Sequence, residues 1–380
     1  MFYLAGIFIA FFLSLLLWGK KNKSLADKVL AAWLTVVGLH LLQFFIYISG
    51  RLYDFPWLLG VGFPFPLLHG PFLLLYVCSL SGQITKIGLK ALTHFVPAGA
   101  EYLYLIPFML RPASEKIRVF QQEGAGYEVF TAIQSALIPL SGVVYVIWSI
   151  IQLNRHERNI LYQFSDIEKI NLRWLRYLIY SLALIWVFVL LKNDTLVYSS
   201  AVCFVLFIGY WGINQVGIFD QQNTVKPDEI EIEEDENPIP ENLEQVPLPE
   251  PDKSDASRKK YARSGLSEET AAELHKKLLE LMEKDKPYKE SGLTLTDLAS
   301  RLNTVPNYLS QVINHKQGTN FYDYINTLRV EEFKKMASQP GGKKYNLLGM
   351  AYECGFNSKS SFNKYFRKMN GISPTEYFKS

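Results

Sequence analysis

The sequence predicts an all-α protein: a bundle of seven transmembrane helices over residues 1–219, then an all-helical domain with two helix-turn-helix units over 266–380. Three observations predict it. The 380 residues are segregated, with Leu, Ile, Val, Phe, Tyr and Trp dominating up to Phe219 and polar residues taking over after Asp220. The apolar half contains repeated stretches near the roughly 20 residues that a bilayer demands of a helix. The polar half places apolar residues at helical spacing, and it does so twice in similar order.

The expected spans are 2–18, 29–49, 58–80, 89–110, 130–153, 174–191 and 196–214. Gly19-Lys20-Lys21 follows the first span where a signal peptide would have a small-residue cleavage site, and no basic n-region precedes it. It therefore reads as a retained helix. The third and fourth spans contain Pro64, Pro66, Pro71, Pro97 and Pro107, which membranes tolerate as kinks.

Loop charge orients the bundle. With the N-terminus outside, the inner loops hold ten Lys and Arg (Lys20, Lys21, Lys23, Lys28, Lys86, Lys90, Arg155, Arg158, Lys169, Arg173). The outer loops hold five (Arg51, Arg111, Lys116, Arg118, Lys192). That bias agrees with the positive-inside rule, and an odd helix count puts the C-terminus in the cytoplasm. The expected location is the cytoplasmic (inner) membrane of a bacterium, where the cytoplasm also holds the DNA. The inner loop from Arg155 to Trp174 mixes charges with Ile160, Leu161, Phe164, Ile167, Ile170 and Leu172. It reads as an amphipathic surface helix, a dimer contact or a coupling element.

Residues 220–265 read as an extended linker. Pro227, Pro238, Pro240, Pro247, Pro249 and Pro251 punctuate it, and 226–255 carries twelve Asp and Glu against Lys226 and Lys253, a net charge of −10. By contrast, 258–380 carries 21 Lys and Arg against 13 Asp and Glu, a net charge of +8. A basic terminal domain on an acidic tether suits a polyanionic partner. Cys78, Cys203 and Cys354 are isolated and lack CxxC spacing, so neither a disulfide framework nor a zinc site is expected, and they read as small hydrophobes.

From Leu266 the period is helical. Leu274, Leu278 and Leu281 mark a first helix ending near Lys286-Pro287. Thr294 is placed to cap a short helix whose Leu295, Leu298, Ala299 and Leu302 turn inward. Asn303-Thr304-Val305 make a turn, and Pro306 opens a helix through Lys316. The pattern recurs: Leu347 to Phe356 as short helix and turn, Asn357 to Lys368 as a second polar-faced helix. At an offset of 52 to 53 residues Ala299 matches Ala351, Leu309 matches Phe362, Ile313 matches Phe366, Gly318 matches Gly371 and Tyr324 matches Tyr377. Between the units, Phe321, Tyr324, Ile325, Leu328 and Phe333 predict one longer connecting helix. Gly355 is expected to supply a positive φ in its turn.

Segment 266–380 resembles the DNA-binding domain of the AraC/XylS transcription regulators. The match runs through Met350-Ala351-Tyr352-Glu353-Cys354-Gly355-Phe356, then Phe362-Asn363-Lys364-Tyr365-Phe366-Arg367-Lys368, then Gly371-Ile372-Ser373-Pro374-Thr375-Glu376-Tyr377. The N-terminal half does not resemble the sugar-binding domain of that family's soluble members. It resembles the multi-pass membrane regions fused to such domains in some Bacteroidetes proteins. The resemblance implies double-stranded DNA as partner. By resemblance and helical face, Asn307, Ser310 and Gln311 of the first reading helix point at bases, as do Lys359, Ser360, Asn363 and Lys364 of the second. Tyr308 either reads or packs. Lys316, Arg367 and Lys368, at helix ends, meet phosphates.

Polar groups at membrane depth default to functional candidates. Here they are His40, His69, His94 and Glu101, with His69, His94 and Glu101 as ligand-sensing residues for a small-molecule or envelope signal. No nucleophile elbow, phosphate-cradling loop, kinase motif or HExxH occurs, so neither an enzyme nor a cofactor is expected. The reading is a membrane-bound one-component regulator, with homodimerisation and release of the domain by linker cleavage as variants. The rival is a membrane receptor or transporter whose C-terminal domain is a protein-interaction module.

Overall fold

The computed structural model describes residues 1–168, 172–222, 266–339 and 346–378. They are helical, with no strand among the described residues beyond one isolated bridge between Phe164 and Thr294. The chain divides into two compact units, residues 1–157 with 172–222, and residues 158–171 with 223–380. The expected linker lies, from residue 223 to 265, outside the described residues.

In the first unit the helices are α1 (Phe2–Gly19), α2 (Leu25–Ile48), α3 (Phe65–Leu80), α4 (Leu89–Leu92), α5 (Val96–Met109), α6 (Ala113–Gln121), α7 (Glu128–Gln163, whose last turns pass into the second unit), α8 (Arg173–Leu190) and α9 (Asp194–Gln222). Five of these, α1, α2, α7, α8 and α9, are long and apolar enough to cross a membrane. The third and fourth expected spans differ from expectation, and proline is the reason. Residues 52–58 form two 3-10 turns, leaving α3 with 16 residues, about 24 Å of helix against a core of about 30 Å. Over 89–109, Pro97 cannot donate to the carbonyl four residues back, and the backbone tightens into a 3-10 turn at Thr93–Phe95 between α4 and α5.

The core of this unit is built by α1, α2, α3, α8 and α9 around Trp33, Leu34, Leu73, Leu175 and Val205. Small residues let the backbones approach: a Cβ on Gly142 of α7 would lie 2.1 Å from the Trp186 indole. The outward faces are apolar too. Leu140, Val143, Ile147 and Ile151 form an exposed stripe along α7, at three- and four-residue spacing. In water such a stripe is unfavourable; against lipid it is not.

The second unit is a helical domain whose described helices are α10 (Glu268–Lys284), α11 (Leu295–Arg301), α12 (Pro306–Gln317), α13 (Phe321–Ala337), α14 (Leu347–Glu353), α15 (Lys359–Asn370) and α16 (Pro374–Tyr377). Two of its cores share α13. One gathers Leu278, Leu298, Leu309, Ile313 and Phe321; the other gathers Phe333, Met350, Phe356, Phe362 and Phe366. The anticipated connecting helix is therefore α13, apolar on both sides. Cys354 is buried as anticipated, whereas Cys78 is half-buried and Cys203 faces outward.

Candidate functional site

Two short helix pairs have the same construction. Thr294 caps α11 through a reciprocal pair with Asp297: each residue's backbone N–H donates to the other's side-chain oxygen. The chain then turns through Asn303, in the left-handed region at φ 50°, and Pro306 opens α12. In the second pair Asn346 caps α14, the turn passes through Gly355 at φ 98°, and Ser358 caps α15. Asn303 and Gly355 are equivalent under the 52-residue offset. Gly318 and Gly371 both end their helices in the left-handed conformation. The repeat read from the sequence is thus a repeat of backbone conformation.

On α12, Asn307 and Lys316 are exposed, and Ser310 and Gln311 are partly so. Tyr308 is half-buried against Leu266, Ala271, Leu274 and Val312, so it packs. On α15, Lys359, Ser360, Lys364, Arg367 and Lys368 are exposed and Asn363 partly so, while Phe362, Tyr365 and Phe366 face inward. The two reading faces are unequally charged: four cations on α15 against Lys316 on α12. Lys316 pairs with Glu268 at 3.4 Å and Lys368 with Asp323 at 2.5 Å. Lys368 is itself exposed, so it can exchange Asp323 for a phosphate.

One functional group was not anticipated. Arg329 of α13 is 1 % exposed. Its Nε donates to the Tyr288 carbonyl at 2.7 Å and Nη2 to the Glu290 carbonyl at 2.7 Å. Nη1 donates to Asn326 Oδ1 at 3.1 Å and to the Ser165 carbonyl at 3.3 Å, and Nη2 reaches Ser165 Oγ at 3.1 Å. Burial lowers the guanidinium to about 10, with nearby Asp166 acting in the opposite direction. Arg329 thus ties the loop before α11, the connecting helix and segment 158–168 into one assembly. The signal was present in sequence: Arg329 stands four residues after Ile325 and four before Phe333, on a face that should be apolar.

Segment 158–168 belongs to this second unit. After the last turn of α7 the chain leaves helical geometry. Ser165 Oγ donates to the Leu293 carbonyl at 2.6 Å, and Asn326 Nδ2 donates to the Ser165 carbonyl at 2.9 Å. Asn357 Nδ2 donates to Asp166 at 2.6 Å, and Ser358 and Ser361 at the start of α15 both donate to the Glu168 carboxylate. Of Arg155–Trp174, read from the sequence as a surface helix, a dimer contact or a coupling element, the structure shows helix up to Gln163 followed by a docked turn through Glu168, and residues 169–171 lie outside the described residues.

Comparison with known proteins bears on this geometry. A family model described as helix-turn-helix domain matches residues 298–380. Residues 298–380 form an AraC-type helix-turn-helix domain. The AraC-type domain is also similar to two bacterial proteins. One is the uncharacterized HTH-type transcriptional regulator YtdP of Bacillus subtilis (strain 168), 30% identical over 88 residues, which are 23% of this chain and 11% of that protein. The other is the uncharacterized HTH-type transcriptional regulator YijO of Escherichia coli (strain K12), 32% identical over 87 residues, 23% of this chain and 30% of that protein. The chain thus matches less than a third of the length of either. No solved structure matches it.

The three sensing candidates of the first unit fall in different places. His69 joins a buried chain of polar groups with Trp33, His40 and Tyr198, beside a cavity of about 280 Å³. His94 Nδ1 pairs with the Tyr145 hydroxyl at 2.9 Å. Glu101 is buried and accepts from Gln134 Nε2 at 3.4 Å. Tyr145 and Gln134 are eleven residues apart on α7, about 16 Å along the helix, so His94 and Glu101 do not share one pocket. Among the described residues, no group of three or more His, Cys, Asp and Glu is placed to hold a metal.

Proposed function

We propose that the protein is a membrane-bound one-component transcription regulator. Its AraC-type domain binds promoter DNA sequence-specifically through α12 and α15, under the control of a signal received by the membrane unit. The observation that carries this reading is the duplicated helix-turn-helix with two polar, outward faces on a basic domain. Asn307, Ser310, Gln311, Lys359, Ser360, Asn363 and Lys364 read bases; Lys316, Arg367 and Lys368 hold phosphates. Embedding in the inner membrane is supported by the five long apolar helices and the exposed apolar stripe of α7. The inward orientation is supported by loop charge. It is supported also by segment 158–168, which continues α7 and folds with the domain that must meet DNA. Of the sensing candidates, His69 lies on a cavity and has the strongest claim.

The test is genome-wide DNA occupancy of the full-length tagged protein against the same chain carrying Gln311→Ala and Lys364→Ala. The expected result is discrete peaks that vanish in the double variant. Absence of peaks across growth conditions would favour a membrane receptor or transporter whose helical domain binds protein.

A further inference from the structure

The cavity beside His69 is walled by α2, α3, α7, α8 and α9 of the first unit. Its polar side is directional, and one residue sets the direction. An indole N–H can only donate. Trp33 Nε1 lies 3.2 Å from His69 Nδ1, so Nδ1 is the acceptor and the proton of neutral His69 is on Nε2. That Nε2–H faces His40 Nδ1 at 3.1 Å, which must accept, so His40 holds its proton on Nε2. His40 Nε2–H then donates to the Tyr198 oxygen at 2.9 Å. The chain ends at the Tyr198 hydroxyl, whose own hydrogen is left to donate outward.

A second donor lines the same cavity. Trp186 is 5 % exposed, and its Nε1 has no hydrogen-bond partner among the described residues. A buried N–H without an acceptor is costly, and native proteins seldom keep one without a reason. The remaining wall is apolar, including Val37, Leu182, Ile185 and Phe204. Lys192 and Asp194, the charged residues of the lining, are of opposite sign and offset one another.

We propose that this cavity binds an uncharged, largely apolar molecule carrying a carbonyl-type oxygen, and that the Tyr198 hydroxyl and Trp186 indole donate to that oxygen. Two donors beside the histidine chain select for an acceptor atom; apolar walls with balanced charge select against an ion. The proposal deepens the sensing role given to His69 above, but its test reads binding and not transcription.

The experiment is calorimetric titration of the full chain in lipid nanodiscs, corrected against empty nanodiscs. The probes are menadione and methyl decanoate, with 2-methylnaphthalene and undecane as counterparts lacking the oxygen. Menadione, methyl decanoate or both should bind, and the arm that binds tells a flat quinone-like source from an acyl chain. The counterparts should bind at least about tenfold more weakly, the worth of one good hydrogen bond. Trp186→Phe should weaken the oxygen-bearing probe about tenfold and leave the hydrocarbon unchanged. Tyr198→Phe should do the same where it folds. Equal binding of probe and hydrocarbon, or no binding by either oxygen-bearing probe, overturns the proposal.

A separate observation carries a second inference. The dipole of α15 favours an anion at its N-terminus, where Ser358 caps the helix. In helix-turn-helix proteins, the start of the reading helix enters the major groove. Here Glu168 is seated there on Ser358 and Ser361, with Asp166 on the adjacent Asn357. We infer that residues 164–168 act as an intramolecular competitor of DNA, with carboxylates standing where phosphates would come. Release of the segment would expose the second reading helix. The measurement is anisotropy of random-sequence duplex DNA with the full chain in nanodiscs. The variant Asp166→Asn with Glu168→Gln should bind about tenfold more tightly than the parent, because like charges at the docking site are removed. A control variant, Glu269→Gln with Glu273→Gln on α10, removes the same charge elsewhere and should change little. Equal tightening in both variants, or none, overturns the inference. Absence of DNA binding in every variant would sink the regulator reading as well, and so is distinguishable.

Discussion

The two helix-turn-helix halves have the same backbone and different chemistry. The first turns at Asn303, where the left-handed conformation is open to Asn at small cost. The second turns at Gly355, where a Cβ would lie 2.5 Å from the Tyr288 carbonyl and 2.9 Å from Arg329 Nε. Only glycine fits there, because the buried Arg329 assembly presses against that turn. The reading helices differ as well: α12 is mostly neutral, and α15 carries Lys359, Lys364, Arg367 and Lys368. On the function proposed above, α12 mainly reads bases and α15 also holds phosphates, and α15 is the helix whose start segment 164–168 meets.

The largest expected effect breaks what joins the halves. Arg329→Met should leave the Tyr288 carbonyl without its buried donor, strip the Glu290 and Ser165 carbonyls of one donor each, and cost about 3 kcal/mol or more. Hydrogen exchange along α13 and α14, read by mass spectrometry, should show the loss; protection equal to the parent would mean that the assembly is dispensable.

Next is the turn itself. Gly355→Ala should cost at least about 1–2 kcal/mol from its left-handed backbone, and more from the contacts its Cβ would meet. Asn303→Gly should stay within about 1 kcal/mol of the parent. Urea unfolding of the two variants side by side compares the halves directly, and similar midpoints would erase the distinction.

Acid tests the other buried group of α13. Burial alone would raise the Glu332 carboxyl, but Lys289 and Lys286 outweigh it and hold it down at about 2. An unfolded Glu titrates near ~4.3, so this depressed group contributes stability that is full above that pH. The contribution disappears as pH falls through about 2. With both lysines partly exposed, it amounts to about 1–2 kcal/mol after screening. Glu332→Gln should flatten the acid limb between pH ~4.5 and ~2; an unchanged limb would assign acid sensitivity elsewhere.

The smallest effect concerns DNA. Lys316→Ala should reduce the slope of log affinity against log salt by about 0.9, and Arg367→Ala with Lys368→Ala by about twice that. Equal slopes for the two variants would put the phosphate contacts evenly on both halves.

Much of this was legible before the structure. Hydrophobic period marked α10 to α13, and Thr294, Pro306 and Gly355 act where local chemistry put them, because caps and turns depend on a few neighbouring residues. The shortfall in the third and fourth spans was local too, since Pro64, Pro66 and Pro97 were in view, but how far a proline breaks a helix depends on what can satisfy the freed backbone. Tyr308 was left between reading and packing because one helical face cannot say what covers it; Leu274 and Val312 do.

By itself, the sequence determined the all-helical class, the apolar first half and the duplicated turn, all properties of spacing within about twenty residues. Only the tertiary structure decided that Ser165 meets Arg329, that Glu168 meets Ser358 and Ser361 at the start of α15, and that His69, His94 and Glu101 part company. The physical reason is that a periodic pattern says which face is buried and nothing about its partner. Burying a polar group demands specific partners, and here they lie far away along the chain.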